Sequence, residues 1–227
     1  FIFRDTVNES GMLIQAFQNI KIINKTKNIG VWEETYKHLY IQIRNDFFKY
    51  IDMYQKNGNN NISDINIEII GYSLGGVLSN IFAYEVTEKY KIHIKNIKLI
   101  TFGSPRAGNK PFALALNSSV PNHFRICNIY DWAPGTPIIE GGINKSFRHA
   151  GLQYIMNNKG ILLNMRQNNS QLHYKNYELL NNVSHNTISS NTISYKSGTS
   201  LFSTHVLPKF MKRISGYGMN KNKKKYY

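Results

Sequence analysis

One stretch limits what this chain can become: Gly71-Tyr72-Ser73-Leu74-Gly75, followed at once by Gly76. A run of β-favouring residues, 65 to 70, feeds it, and a helical pattern begins at Leu74. A strand that becomes a helix across a single residue leaves that residue in a strained backbone conformation. Side chains two positions before and after it would collide with the neighbouring strand and helix, so Gly71 and Gly75 supply the space. The start of the helix then turns its amides and partial positive charge toward the place where an oxyanion would form. This order predicts Ser73 as a nucleophile presented on an elbow, against the plainer reading of a glycine turn.

The rest of the chain alternates strand and helix around that point, which predicts an α/β architecture with a mostly parallel central sheet and helices on both faces. Residues 1 to 3 and 20 to 23 read as short strands. Residues 9 to 17 make a short amphipathic helix, either a lid over a site or a connecting helix packed on the core. From Trp32 to Tyr54, apolar residues recur at three or four positions (Trp32, Tyr36, Leu39, Ile43, Phe47, Tyr50, Ile51, Tyr54), predicting one long helix with an aromatic core face. Asn57-Gly58 and the Asn tract after it should end that helix, and His38 within it reads as a surface residue. After the elbow, a helix is expected from Leu74 to about Lys89, buried through Leu78, Ile81, Phe82 and Val86. Residues 97 to 102 form a strand of the continuous apolar kind, residues 110 to 116 a helix, and residues 124 to 129 another strand. Asp131 falls just past that strand's carboxyl end, where open α/β sheets place functional groups. Residues 152 to 180 read as further strands with a hairpin.

The 227 residues are enough for one domain with a substantial core, expected over residues 1 to 216. The Ser-, Thr- and Asn-rich segment 181 to 200 is expected to be a surface insertion, and the basic end, 217 to 227, a disordered tail. The sequence opens without Met on what reads as the inside of a strand, so missing upstream sequence is expected, and the compartment stays open. No apolar run is long enough to span a bilayer. Cys127 stands alone, which rules out an internal disulfide and a cysteine-rich zinc site, and reads as a small buried hydrophobe. The formal net charge of +15 favours anionic partners. No basic and aromatic array resembles a nucleic-acid module, so the expectation is peripheral contact with an anionic membrane surface and no nucleic acid.

With these residues laid out, the chain resembles the class 3 lipases, the fungal-lipase-like branch of the α/β-hydrolases. The resemblance runs from Phe3-Arg4-Asp5-Thr6 through the elbow, Thr101-Phe102-Gly103-Ser104-Pro105-Arg106-Ala107-Gly108-Asn109, Arg125-Ile126-Cys127-Asn128 and Asp131-Trp132-Ala133-Pro134, to Ser203-Thr204-His205. It implies a Ser–Asp–His triad, with Ser73 as nucleophile and Asp131 as acid. It also implies an oxyanion hole built from Thr6 and the backbone amide of Leu74. Two departures stand out: Asp5 replaces the family's usual glycine before the oxyanion residue, and residues 29 to 32 lack the family's His-x-Gly.

Serine attack on an ester needs an imidazole between hydroxyl and carboxylate. Four histidines follow Asp131: His149, His173, His185 and His205. The resemblance favours His205, with His149 as the alternative base, while His185 lies in the polar loop. The implied activity is hydrolysis of lipid esters, of the triacylglycerol lipase or phospholipase type, through an acyl-enzyme and without metal or cofactor. A lipase-fold module that binds lipid or protein without turnover, prompted by Asp5, and an acyltransferase using the same triad are the alternatives. Oligomeric state is not legible.

Overall fold

The computed structural model describes residues 1–3, 20–32, 39–58, 61–128, 131, 133–136, 147–156 and 162–165. In chain order the elements are β1 (Ile2–Phe3), β2 (Ile20–Asn24), β3 (Ile29–Trp32), α1 (Ile41–Gly58), β4 (Ile67–Tyr72), α2 (Leu74–Tyr90), β5 (Ile97–Phe102), β6 (Gly108–Asn109), α3 (Lys110–Ser119), β7 (His123–Asn128), β8 (Phe147–Arg148), β9 (Leu152–Met156) and β10 (Leu162–Met165). The chain divides into two compact units, Phe1–Arg125 with Pro137–Gly151 and Ile126–Thr136 with Leu152–Tyr227. The expected helix at 9 to 17, the insertion at 181 to 200, the basic tail and His38 all lie outside the described residues.

In the first unit the main sheet runs β1-β4-β5-β7. β4 and β5 pair in parallel over their whole length, from Ile67 with Ile97 to Tyr72 with Phe102. β1 joins β4 in parallel, placing Phe3 beside Gly71. Ile67, Ile69, Ile97 and Leu99 are buried, as expected for strands covered by a helix. That helix is α2, whose residues from Leu74 to Tyr84 are buried without interruption. Leu78, Ile81, Phe82 and Val86 are buried as the periodicity predicts, and their neighbours are buried too, because this helix has no solvent face over its first three turns.

Phe82, near the middle of α2, is the hub of an aromatic cluster. Its ring lies 4.9 Å from Phe1, 5.5 Å from Phe3, 5.3 Å from Phe47 and 5.8 Å from Phe48. These contacts bind β1 and α1 to α2. Polar pins reinforce the pairing: the Arg44 guanidinium and the Tyr40 hydroxyl both donate to Glu85, and the Tyr90 hydroxyl donates to Asp52 at 2.6 Å.

The long helix departs from its sequence reading at both ends and in its face. Trp32 belongs to β3, and α1 begins at Ile41 and includes Asn57 and Gly58. Ile29-Gly30-Val31-Trp32, with β-branched Ile29 and Val31, is entered from a turn, so the apparent helical period runs across the end of a strand. Its core residues are Phe48 and Ile51, with Tyr40 just before it. Tyr50 and Tyr54, predicted on the buried stripe, are 65% and 51% exposed.

A second, antiparallel sheet of the first unit, β2-β3-β6-β8 among the described residues, was not anticipated. Asn109 ties it to α3. Its Oδ1 accepts from the amides of Gly30 and Phe112, each at 3.1 Å, and its Nδ2 donates to the Asn28 carbonyl at 2.8 Å. One side chain thus caps α3 and fastens the turn before β3.

In the second unit β7 ends next to β9, and β9 forms an antiparallel hairpin with β10, from Met156 with Leu162 to Gln153 with Met165. This is the hairpin expected between residues 152 and 180.

Candidate active site

Ser73 is the single residue between β4 and α2. Its backbone sits at φ 53°, ψ −126°, a left-handed conformation that L side chains rarely adopt. Two hydrogen bonds hold it there: its amide donates to the Phe102 carbonyl and its carbonyl accepts from the Gly76 amide, both at 2.9 Å. The residue is fully buried. Strain kept at a strand-to-helix corner by the surrounding backbone is the arrangement the sequence predicts for a presented nucleophile.

Gly71 meets its neighbours as closely as the elbow requires. A methyl on Gly71 would collide with Ser79 Oγ and would stand 2.6 Å from the Gly75 carbonyl oxygen and 2.7 Å from Gly76 Cα. Beyond the sequence reading, Gly76 is equally constrained, since a methyl there would lie 2.5 Å from Ser104 Cβ. The Gly76 carbonyl accepts from Ser79 Oγ at 2.7 Å and Asn80 Nδ2 at 2.6 Å, knitting the first turn of α2 to its second. Leu74, the expected amide donor to an oxyanion, is the first residue of that turn and is buried.

Asp131 belongs to the second unit and follows β7 by three residues. It is 8% exposed. Its amide donates to the Asn128 carbonyl at 3.0 Å and its Oδ1 accepts from the Ala133 amide at 2.9 Å. The carboxylate is therefore oriented by its own turn at the strand's carboxyl end, as predicted. Pro134 closes the turn within a short helical segment, Ala133–Gly135. His149 belongs to the first unit, one residue past β8, and is half-buried. Thr6, His173, His185 and His205 lie outside the described residues.

The sequence reading passed over two buried polar residues of the first unit. Ser104 touches the elbow; its signals in the sequence are its place two residues past the end of β5 and within the 101–109 block that carries the resemblance. His123, the first residue of β7, is fully buried. Burial, and then the Arg125 guanidinium, push its imidazole down to about 3, so it is neutral at physiological pH. Its ring lies against Gly151, which has φ +83°. Among the described residues, no group of three or more His, Cys, Asp or Glu is placed to hold a metal ion, and no helix is long and apolar enough to cross a membrane.

Solved structures share this fold at low sequence identity. A lipase from Rhizopus microsporus var. chinensis superposes with a TM-score of 0.57 at 21% identity, over 67% of this chain and 50% of that one. Lipase II from Rhizopus niveus gives 0.55 at 21%, over 65% and 52%. A triacylglycerol lipase whose catalytic centre is formed by a serine protease triad gives 0.57 at 21%, over 68% and 55%. All three support an α/β-hydrolase fold. By sequence, the chain is 25% identical over 144 residues to a lipase of Caenorhabditis elegans, covering 60% of this chain and 37% of that protein. It is 32% identical over 101 residues to the chloroplastic phospholipase A1-Igamma2 of Arabidopsis thaliana, covering 42% and 19%. The matches thus span well under half the length of either relative. The model of the family described as "Lipase (class 3)" matches residues 1–141, more than half of the chain. With the strained serine at its elbow and the parallel sheet that carries it, the chain belongs to the class 3 lipases.

Proposed function

We propose that this chain is a serine hydrolase of lipid carboxylic esters, with Ser73 as its nucleophile. The observation that carries the reading is the positive φ of Ser73 at the N-terminus of α2, held by backbone hydrogen bonds on both sides. Ser73 Oγ attacks the ester carbonyl carbon while its proton passes to the imidazole of His205. Asp131, oriented by its own turn, holds the other ring nitrogen and stabilises the imidazolium. The amide of Leu74 and Thr6 bind the oxyanion of the tetrahedral intermediate. Collapse expels the alcohol, which takes its proton from the imidazolium, and leaves an acyl-Ser73 ester. Water, deprotonated by the same imidazole, then releases the acid and restores the serine.

The lipase and phospholipase names of the matched relatives support a lipid ester as substrate. The net charge of +15 favours phospholipid on an anionic surface over a neutral acylglycerol, with the protein attached peripherally. Asp5 favours the second reading, a lipid-binding module without turnover, because a carboxylate beside Thr6 opposes a developing negative charge.

A fluorophosphonate probe separates the readings. The wild type should label covalently and Ser73→Ala should not. Labelling that persists in Ser73→Ala removes the nucleophile assignment, and an inert wild type that still binds anionic vesicles establishes the module. His205→Ala should lose labelling while His149→Ala keeps it, and the reverse result moves the base to His149.

A further inference from the structure

Ser104 lies in the loop after β5, is 3% exposed, and its hydroxyl donates to the Pro105 carbonyl at 2.9 Å. A methyl group on Gly76 would stand 2.5 Å from Ser104 Cβ, 2.6 Å from its Oγ and 3.3 Å from its Cα. Gly76 and Ser104 are therefore in direct contact. Two residues earlier, the Phe102 carbonyl receives the Ser73 amide. The same short segment thus grips the elbow at two points three residues apart, one by a hydrogen bond at Ser73 and one by steric contact at Gly76. Between those points lie the amides of Leu74 and Gly75.

From this juxtaposition we infer that Ser104 is a positioning residue. Its side chain sets how closely the first turn of α2 approaches the end of β5, and so the aim of the Ser73 hydroxyl and the Leu74 amide. The inference rests on the proposed hydrolase reading. Close packing admits no slack at such a contact, because a first turn displaced by a few tenths of an ångström cannot be absorbed by neighbours that are themselves buried. A filler residue would affect only how much protein folds. A spacer affects how fast each folded molecule reacts.

The contact can be tested by exchanging its two partners. Gly76→Ala adds a methyl that collides with Ser104, Ser104→Gly removes the Cβ and Oγ it collides with, and the pair moves one carbon across the interface and deletes the hydroxyl oxygen. Each protein is treated with a saturating fluorophosphonate, giving a limiting rate kinact, the concentration for half-saturation, and the number of labels per folded molecule. Gly76→Ala should lower kinact by about 10²-fold, the scale of a misplacement near 1 Å. Ser104→Gly should lower it by a smaller factor, and the double variant should recover most of the loss, all with one label per molecule.

A double variant whose losses multiply overturns the inference. So do single variants that lower the label count or the melting temperature while kinact stays unchanged. Should Gly76→Ala fail to fold, Ser104→Thr adds one methyl to the same side chain. A lower kinact there supports the inference, and an unchanged one overturns it. An unlabelled wild type removes the hydrolase reading and this inference together, whereas a labelled wild type with multiplying losses removes the inference alone.

Discussion

The amide of Ser73 donates to the carbonyl of Phe102 at 2.9 Å, although Ser73 itself belongs to neither β4 nor α2. That bond, with the one from Gly76 to the Ser73 carbonyl, keeps φ at 53° whatever the side chain is. Removing the hydroxyl therefore leaves the strain in place, while removing Cβ relieves it. Ser73→Gly should be more stable than Ser73→Ala by about 1 kcal/mol, the lower end of the cost of such a backbone. Thermal melts of the two inactive variants check this, and equal melting temperatures contradict it.

Gly71→Ala should be far more damaging than its one carbon suggests. Two of the three atoms its methyl would meet are backbone, the Gly75 carbonyl oxygen and Gly76 Cα, and cannot swing aside. The expected loss is at least about 3 kcal/mol, the upper range for overpacking. Chemical denaturation measures it, and a variant within 1 kcal/mol of wild type would show the elbow to be softer than its geometry.

His123 makes stability depend on acid. Its folded value, about 3, lies below the ordinary 6.5, so the unfolded chain takes up this proton first as pH falls. The contribution is fully present above the unfolded value and is lost progressively from pH 6.5 down to about 3. Over that window the slope is at most about 1.4 kcal/mol per pH unit. His123→Phe keeps a planar ring against Gly151 and cannot titrate, so its denaturation midpoint should fall less steeply than wild type below pH 6. Parallel curves would mean that His123 is not the group responsible.

Tyr90→Phe tests the pins between α1 and α2. The phenol donates to Asp52 at 2.6 Å and accepts from Lys89 at 2.7 Å, and burial and Asp52 both raise its ionisation above the ordinary range. Losing this partly exposed bond should cost about 1 kcal/mol with no change in probe labelling at Ser73. A change in labelling rate would mean that the pin reaches the elbow.

Legibility along this chain followed the range of the interactions. β4, α2, β5, α3 and β7 were readable because each carries its own local period or breaker, and Gly71 and Ser73 because an elbow leaves little choice. β6 and β8 were not, since each is two residues long and exists only through pairing across the chain, Gly108 with Arg148 and Asn109 with Phe147. Tyr50 and Tyr54 misled because tyrosine fits a core or a wet face equally well, and Phe47 and Phe48 side by side blur which stripe faces inward. The place of Asp131 past a strand was legible, while the contact of Ser104 with the elbow was hidden because a small polar residue in a turn carries no period. The choice between His149 and His205 came from the resemblance and belongs to the proposal.

The polar pins give α2 a division of labour along its length. Glu85, Lys89 and Tyr90 fasten its last turns by charge and hydrogen bonds that solvent reaches in part, while its first turn is held by buried, uncharged hydrogen bonds and close glycine contacts. The two ends lie about 24 Å apart at the usual helical rise. Salt loosens one kind of fastening and leaves the other alone. An engineer could thus retune heat or salt tolerance at the carboxyl end of this helix, as one adjusts the foundation of an instrument, without disturbing the alignment at its tip.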